Sequence, residues 1–413
     1  MRGPLRDHDA RHKDRVKTLA IPLLKGLYYR ATLLVVGFAY AVMPFVRWLR
    51  HKSGGRFNSL WAGTPILTLP LKARAEALLG VNAKSLVYQS YGIAQGGFDI
   101  HLGSLTRIPV LGRLVPWGTF LYACATQDRL HFFSDRGLLP VRRLFLLNRF
   151  ELAVYKFLGI QVFFWTYGGD VRVREATLTL GEPNCCTFCP AVGTQCVCTN
   201  NRAAYNRETI RRYATAHFSM GDMIHYTPGS RNDVFFWPVD LLAQQGSKYE
   251  PSYPDVASPG PVKIVHAANH RAFKGTHLLI QAIDELRSQG VAVELVLVEG
   301  VPNHIALAQY RAADVIFDQC LIGFHGYFAL EGMALGKPVM SFLRLPSAYV
   351  LAADECPIIN TSISTLKEDV LKLCGNRANL RELGVRGRRY VEKYYTIEAV
   401  SRRMASAYAA LEV

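Results

Sequence analysis

The chain has 413 residues, half of them hydrophobic and 19% charged, which describes two ordinary folded domains and excludes a disordered protein. Its 48 Lys and Arg against 32 Asp and Glu leave a formal charge of +16, which favours an anionic partner such as nucleic acid, an anionic bilayer or a phosphorylated substrate. Residues 1–56 hold twelve of the basic residues but only three acidic ones, so the excess belongs largely to an N-terminal arm and no nucleic-acid partner is expected.

Within that arm, residues 31–46 (ATLLVVGFAYAVMPFV) carry no charge and are bounded by Arg30 and Arg47. The run falls short of the ~20 residues that span a bilayer as a helix, and Pro44 should disturb its end. With Ile21–Tyr29 upstream it reads as an interfacial or membrane-dipping anchor with basic flanks. The alternative is a helix buried in the first domain. No secretory signal is evident, because the first apolar run follows a long charged stretch. Nine cysteines, five of them within residues 185–198, do not make an exported disulfide scaffold in a chain of this size. The expected location is cytoplasmic, at the inner face of the cell membrane.

From residue 57 to 245 the pattern alternates between apolar strands and amphipathic helices. Strands are expected at Ser85–Tyr91, Leu130–Phe133, Ile160–Tyr167, Met223–Tyr226 and Val234–Trp237, with helices such as Leu69–Leu79 and Val141–Leu158. Residues 246–261, rich in Pro and Ser, form a linker. Residues 262–395 alternate more regularly. Strands are expected at Val262–Ala267, Val293–Val298, Asp314–Asp318, Pro338–Leu343 and Pro357–Asn360, with helices at Lys274–Gln289, Ile305–Ala312 and Tyr327–Leu335. A last helix covers Ile397–Leu411, within residues 396–413. The expected fold is α/β, two Rossmann-like domains facing across a cleft behind a basic, apolar arm.

Ligands of open α/β sheets bind beyond the C-terminal strand ends. Two turns of the second domain stand out there. In His266–Gly275, Arg271 and Lys274 lie close to a helix start, as a phosphate site requires, although such a loop is often merely solvated. In Asp318–Val339, Gly323 and Gly326 let backbone approach a ligand, and Glu331 could accept from a ribose diol. Small, apolar neighbours of Glu331 make an unpaired carboxylate there costly.

The run Glu331-Gly-Met-Ala-Leu-Gly-Lys-Pro-Val339 resembles the E-x-M-A-x-G-x-P-V segment of the group-1, family-4 glycosyltransferases of the GT-B fold. Arg271 with Lys274-Gly275, and Trp237-Pro238-Val239-Asp240 at the domain crossing, add to the likeness. The resemblance implies that Glu331 holds the nucleotide ribose and that Gly326 and Tyr327 touch the diphosphate. Lys274, with Arg271, would neutralise it. Gly323 stands where the family's E-x7-E motif has its first glutamate. Gln319 and His325 belong to a run resembling a bacterial surface-polysaccharide subgroup. Thr166-Tyr167-Gly168-Gly169-Asp170 resembles a strand-end segment whose histidine lies at the sugar, with Tyr167 replacing that histidine; an ordinary turn is the alternative. Catalytic roles thus fall to Lys274, Arg271, Asp170 and Tyr167. The implied reaction moves a sugar from a nucleoside-diphosphate sugar to a lipid-linked glycan acceptor, with retention and without a catalytic metal. A sugar-nucleotide epimerase of the same fold and a non-catalytic nucleotide-sugar-binding subunit are the alternatives.

Cys186, Cys189, Cys196 and Cys198 could hold one structural zinc. A metal-free reduced loop or local disulfides are the competing readings.

Overall fold

The computed structural model describes residues 5–90, 97–141, 146–191, 198–241 and 248–411, with residues 5–25 as backbone only. In the first domain, β1 (Asn58–Ala62), β2 (Asn82–Val87), β3 (Ile100–His101), β4 (Arg129–Phe133), β5 (Gln161–Trp165) and β6 (Ala216–Phe218) form one parallel sheet in the order β3-β2-β1-β4-β5-β6. β4 is buried at every position and β5 at all but its first, as strands covered by helices on both faces must be. Trp61, Phe133, Phe163 and Trp165 pack on one face with the helix Leu69–Ala77. Leu60, Phe132 and Phe164 pack on the other, beneath the helices Leu111–Thr126 and Arg149–Phe157.

The second domain is a parallel sheet of β7 (Val262–His266), β8 (Val293–Leu297), β9 (Val315–Gln319), β10 (Val339–Ser341) and β11 (Ile359–Asn360), in the order β11-β10-β9-β7-β8. The C-terminal ends of the two sheets meet. Phe324, after β9, packs on Gly221, after β6: a Cβ on Gly221 would lie 2.3 Å from the Phe324 ring. The chain crosses between domains at Val239, whose N–H donates to Tyr395 O at 2.6 Å. It then returns as the helix Ile397–Ala409, which packs on Leu69–Ala77 of the first domain. From that helix Arg403 donates to the carbonyls of Val234 (2.6 Å) and Phe235 (2.9 Å), holding Phe235 at φ 44°. Such backbone costs a bulky residue roughly 1–3 kcal/mol.

The arm is one helix, Leu5–Lys52, and it runs through Pro44, which lies on its exposed side. Thr32, Val36, Ala39, Met43 and Arg47 are buried, one stripe at helical spacing. The stripe packs on the helices Leu111–Thr126 and Arg149–Phe157. Side chains tie it down at both ends. Tyr28 Oη donates to Arg113 O at 2.7 Å and Tyr29 Oη to Val141 O, while Arg47 reaches Cys124 O, Gln127 O and Asp128. Residues 31–46 are therefore half core and half bare surface. The division at residue 56 falls just after a helix that is integral to the first domain.

Two strand expectations fail. Of Met223–Tyr226, residues 223–225 lie in a 3₁₀ turn, Gly221–His225, which Tyr226 follows, and the sixth strand is Ala216–Phe218 just upstream. Val234–Trp237 is buried but joins no sheet, because it carries the chain toward the second domain with its carbonyls taken by Arg403. β1 had no expectation at all. The helix expected at Val141–Leu158 covers Arg149–Phe157, capped by the Asn148 side chain, which accepts from Phe150 N and Glu151 N; residues 142–145 lie outside the described residues.

Candidate active site at the facing sheet ends

β9 is buried throughout and ends on Asp318-Gln319. Asp318 is fully enclosed. Its carboxylate accepts from Lys274 Nζ at 2.7 Å, from Gly326 N at 2.5 Å and from Ser341 Oγ at 3.2 Å. Burial opposes its charge, but Lys274 and the Gly326 amide hold its pKa below the usual carboxylate value. A Cβ on Gly326 would sit 3.0 Å from Asp318 Oδ1 and 3.1 Å from Lys274 Nζ, so only glycine lets the helix Tyr327–Ala334 start against the ammonium. Gly275 (φ +77°) turns the chain after Lys274, where a Cβ would strike Cys320 Sγ at 2.4 Å. An ammonium has three donors. One is given to Asp318, and the first amides of a helix have no intrahelical acceptor. Lys274 and the start of Tyr327–Ala334 thus form a place for an anion.

One turn into that helix, Glu331 is 4% exposed. Its Oε1 accepts from Tyr249 Oη at 2.9 Å and, weakly, from Asn303 Nδ2 at 3.4 Å. Burial raises its pKa, against the hydrogen bond from Tyr249. Tyr327 is anchored by its hydroxyl, which donates to Pro238 O at 3.0 Å.

The other expected donor-site residues do not converge there. Arg271 points to Glu299, 2.6 Å away in an exposed pair. Gln319 is fully buried and braces the turn: its amide donates to Phe342 O (2.8 Å) and Ser341 Oγ (3.1 Å), and its carbonyl oxygen accepts from Leu321 N (2.8 Å). His325 is buried against Trp237, Phe324 and Tyr395, and burial lowers its pKa to about 4, keeping it neutral. Gly323 has a physical reason: a Cβ there would meet Arg344 Cβ at 2.8 Å. Arg344 crosses to the first domain, donating to Leu180 O (2.7 Å) and Pro183 O (2.6 Å).

On the first domain's sheet end, Asp170 is buried and accepts from Tyr167 N (3.0 Å), Gly168 N (2.9 Å) and Ser134 N (3.1 Å). Burial, with Asp135 nearby, pushes its pKa up to about 7. The half-buried Tyr167 donates through its hydroxyl to Asp135 at 3.0 Å, which also accepts from Thr64 Oγ1 at 3.1 Å. Lys72 is 0% exposed, and its Nζ has no hydrogen-bond partner among the described residues. It lies 4.8 Å from the ring centres of Phe133 and Phe236. Desolvation lowers its pKa to about 7, against the attraction of Asp170. Tyr167 and Asp170 were legible in the sequence. Asp135, Thr64 and Lys72 were not, and neither were Asp318's pairing with Lys274, Tyr249, Asn303 and Arg344.

The cysteine insert bridges the domains. Cys185 packs with Leu279 and Leu321 of the second domain, and the Phe188 ring lies 5.0 Å from that of His277. Cys186, beside Cys185 and Thr177, has a pKa lowered to about 6. Among the described residues no three His, Cys, Asp or Glu side chains are placed to share a metal ion, so Cys186, Cys189 and Cys198 do not form a zinc site among themselves. Cys196 lies outside the described residues.

No protein-family model matches the chain, and no curated protein does. Solved structures do. A sucrose-phosphate synthase from Thermosynechococcus elongatus superposes with a TM-score of 0.54 at 13% identity, covering 86% of this chain and 99% of its own. HepE from Anabaena, solved in complex with UDP-glucose, gives 0.52 at 12%, also covering 86% and 99%. At these identities the likeness concerns the fold. Two parallel-sheet domains with facing C-terminal ends and a helix returning to the first domain make the GT-B fold that the sequence led us to expect.

Proposed function

We propose that the chain is a glycosyltransferase that moves a sugar from a nucleoside-diphosphate sugar to a lipid-linked glycan acceptor in surface polysaccharide synthesis. Its place is the cytoplasmic face of the membrane. The observation that carries the reading is the convergence of Lys274 and the glycine-initiated helix Tyr327–Ala334 one turn from the buried Glu331. The bound UDP-glucose of the HepE structure supports this donor class. In the reaction the acceptor oxygen bonds to the anomeric carbon while the bond to the diphosphate oxygen breaks. The diphosphate leaves with the electron pair and takes up the proton that the acceptor hydroxyl loses, while Lys274 and the helix amides stabilise its charge without a catalytic metal. Glu331 would hold the ribose through the carboxylate capacity that Tyr249 does not use. Tyr167 and Asp170 would face the acceptor, and retention of configuration belongs to the proposal through the family resemblance.

The test is release of nucleoside diphosphate from a panel of sugar nucleotides, with and without a polyprenyl-diphosphate-linked glycan. Acceptor-dependent release is expected, with the anomeric outcome read by NMR of the product. Release without acceptor would favour a hydrolase instead, and an isomerised sugar nucleotide without net release an epimerase. Binding without turnover would mark a nucleotide-sugar-binding subunit, a reading favoured by Arg344 occupying the space beside Gly323. A structural zinc on the cysteine insert is a proposal from spacing alone, and elemental analysis finding none would remove it.

A further inference from the structure

The bare face of the Leu5–Lys52 helix ends at a cavity of about 560 Å³ lined by Arg47, Trp48, His51, Phe57, Asp128 and Phe157, among others. We propose that this cavity seats the phosphate-bearing headgroup of an anionic lipid while the adjoining helix face lies in the bilayer interface. The proposal rests on the membrane reading above and adds a defined site to it.

The charge balance calls for an anion. Asp128 is the carboxylate of the cavity wall. It accepts from Arg50 at 2.7 and 2.8 Å, from Arg47 at 3.3 Å and from Asn58 N at 2.9 Å, and His51 stands 3.8 Å away. Two guanidiniums on one carboxylate leave a positive charge unbalanced, and the exposed Lys52 and Arg56 follow in the chain. The rim is aromatic, with Trp48, Phe57 and Phe157 all exposed, the residue type that settles at a membrane–water boundary.

The apolar surroundings select a lipid. Leu34 is 76% exposed, and Leu33, Phe38, Phe45, Trp48 and Leu49 are bare beside it. Phe157 extends this surface against Tyr40, with ring centres 5.0 Å apart. No charged side chain interrupts the helix between Arg30 and Arg47, and cations stand at both ends. A second copy packed on this face would bring those cations together, whereas an anionic leaflet complements them. The ties at Tyr28, Tyr29 and Arg47 hold the stretch from 28 to 47 along the domain, so on this proposal that stretch lies in the interface plane and does not cross. The cavity is at the N-terminal ends of β1, β4 and β5, roughly 16 Å of strand away from the cleft. It is therefore an anchoring site and not the acceptor site.

The experiment is flotation of the full-length protein with vesicles of phosphatidylcholine alone or mixed with phosphatidylglycerol, with soluble glycerol phosphate as competitor. The protein should bind the mixed vesicles more tightly, by roughly tenfold or more, because its cations face an anionic surface. His51→Glu should lose most of that preference and still float with both vesicles. Leu34→Glu/Phe38→Glu should float with neither. These side chains are exposed, and an unchanged melting temperature checks that the variants fold. An undiminished preference in His51→Glu overturns the headgroup site while leaving the membrane reading intact. Displacement by glycerol phosphate would show a site for free phosphate and overturn the lipid assignment. Failure of the unmodified protein to float would remove both.

Discussion

Glu331 keeps a carboxylate where burial works against its charge. Because its pKa is raised in the folded chain, it protonates at a higher pH than an exposed glutamate, and ribose would then lose an acceptor. Donor affinity measured by calorimetry should fall as pH drops through that raised value. The sign for stability is opposite: this group's contribution is full below the unfolded pKa and is lost as pH rises through the folded one. Glu331→Gln should weaken donor binding about tenfold or more, the worth of a charge-assisted hydrogen bond of ~1.5–3 kcal/mol, while the fold survives. Unchanged affinity would remove the ribose assignment. Lys72 is the converse case. Between its ordinary 10.5 and about 7 the unfolded chain takes up a proton that the folded chain does not, so stability falls as pH drops across that window. Lys72→Met should raise the melting temperature at neutral pH, by the equivalent of about 1–3 kcal/mol, and should flatten that pH dependence. A lower melting temperature in the variant would show that the ammonium has a partner that stabilises it.

At the scale of elements, the contact between Gly221 and Phe324 sets how closely the sheet ends approach. Gly221 has φ +62° and no room for a Cβ. Gly221→Ala should cost about 1–3 kcal/mol through backbone strain and overpacking. It should also part the domains, seen as a larger radius of gyration in solution scattering; an unchanged radius would show that Phe324 simply turns aside. The second domain was legible in sequence nearly strand by strand, because Val262–His266, Val293–Leu297 and Val315–Gln319 are short apolar runs set off by amphipathic helices. In the first domain Asn58–Ala62 escaped notice because its neighbours Phe57 and Gly63 blur its ends. Val234–Trp237 looked like a strand because apolar residues line any buried extended segment, whether or not it pairs. The candidate site divides in the same way. Lys274, Gly326 and Glu331 lie in one motif-bearing domain and could be read. Tyr249 comes from the linker, Asn303 from the first turn of the helix Asn303–Arg311 and Arg344 from the loop after β10, and only the topology brings them to Glu331 and Gly323.

For the whole molecule, the N-terminal helix is the element whose removal has the widest effect. Deleting residues 1–25 should leave the fold intact, whereas deleting 1–50 uncovers the surface packed by Val36, Ala39 and Met43 and should lower the melting temperature sharply. Equal stability of the two truncations would show that the buried stripe contributes little. The helix also joins two distant ends of the first domain. Tyr29 is tied to Val141, beyond the cleft end of β4, and Arg47 to Asp128, just before β4 begins. On the proposed membrane reading, a helix lying flat between those points would keep the mouth of the cleft at the height of the lipid headgroups. On the proposed reading, enzyme and acceptor then search for each other by lateral diffusion in two dimensions. The reactive hydroxyl must lie within a few sugar units of its lipid, so the molecule would gauge the length of a growing glycan by its distance from the bilayer.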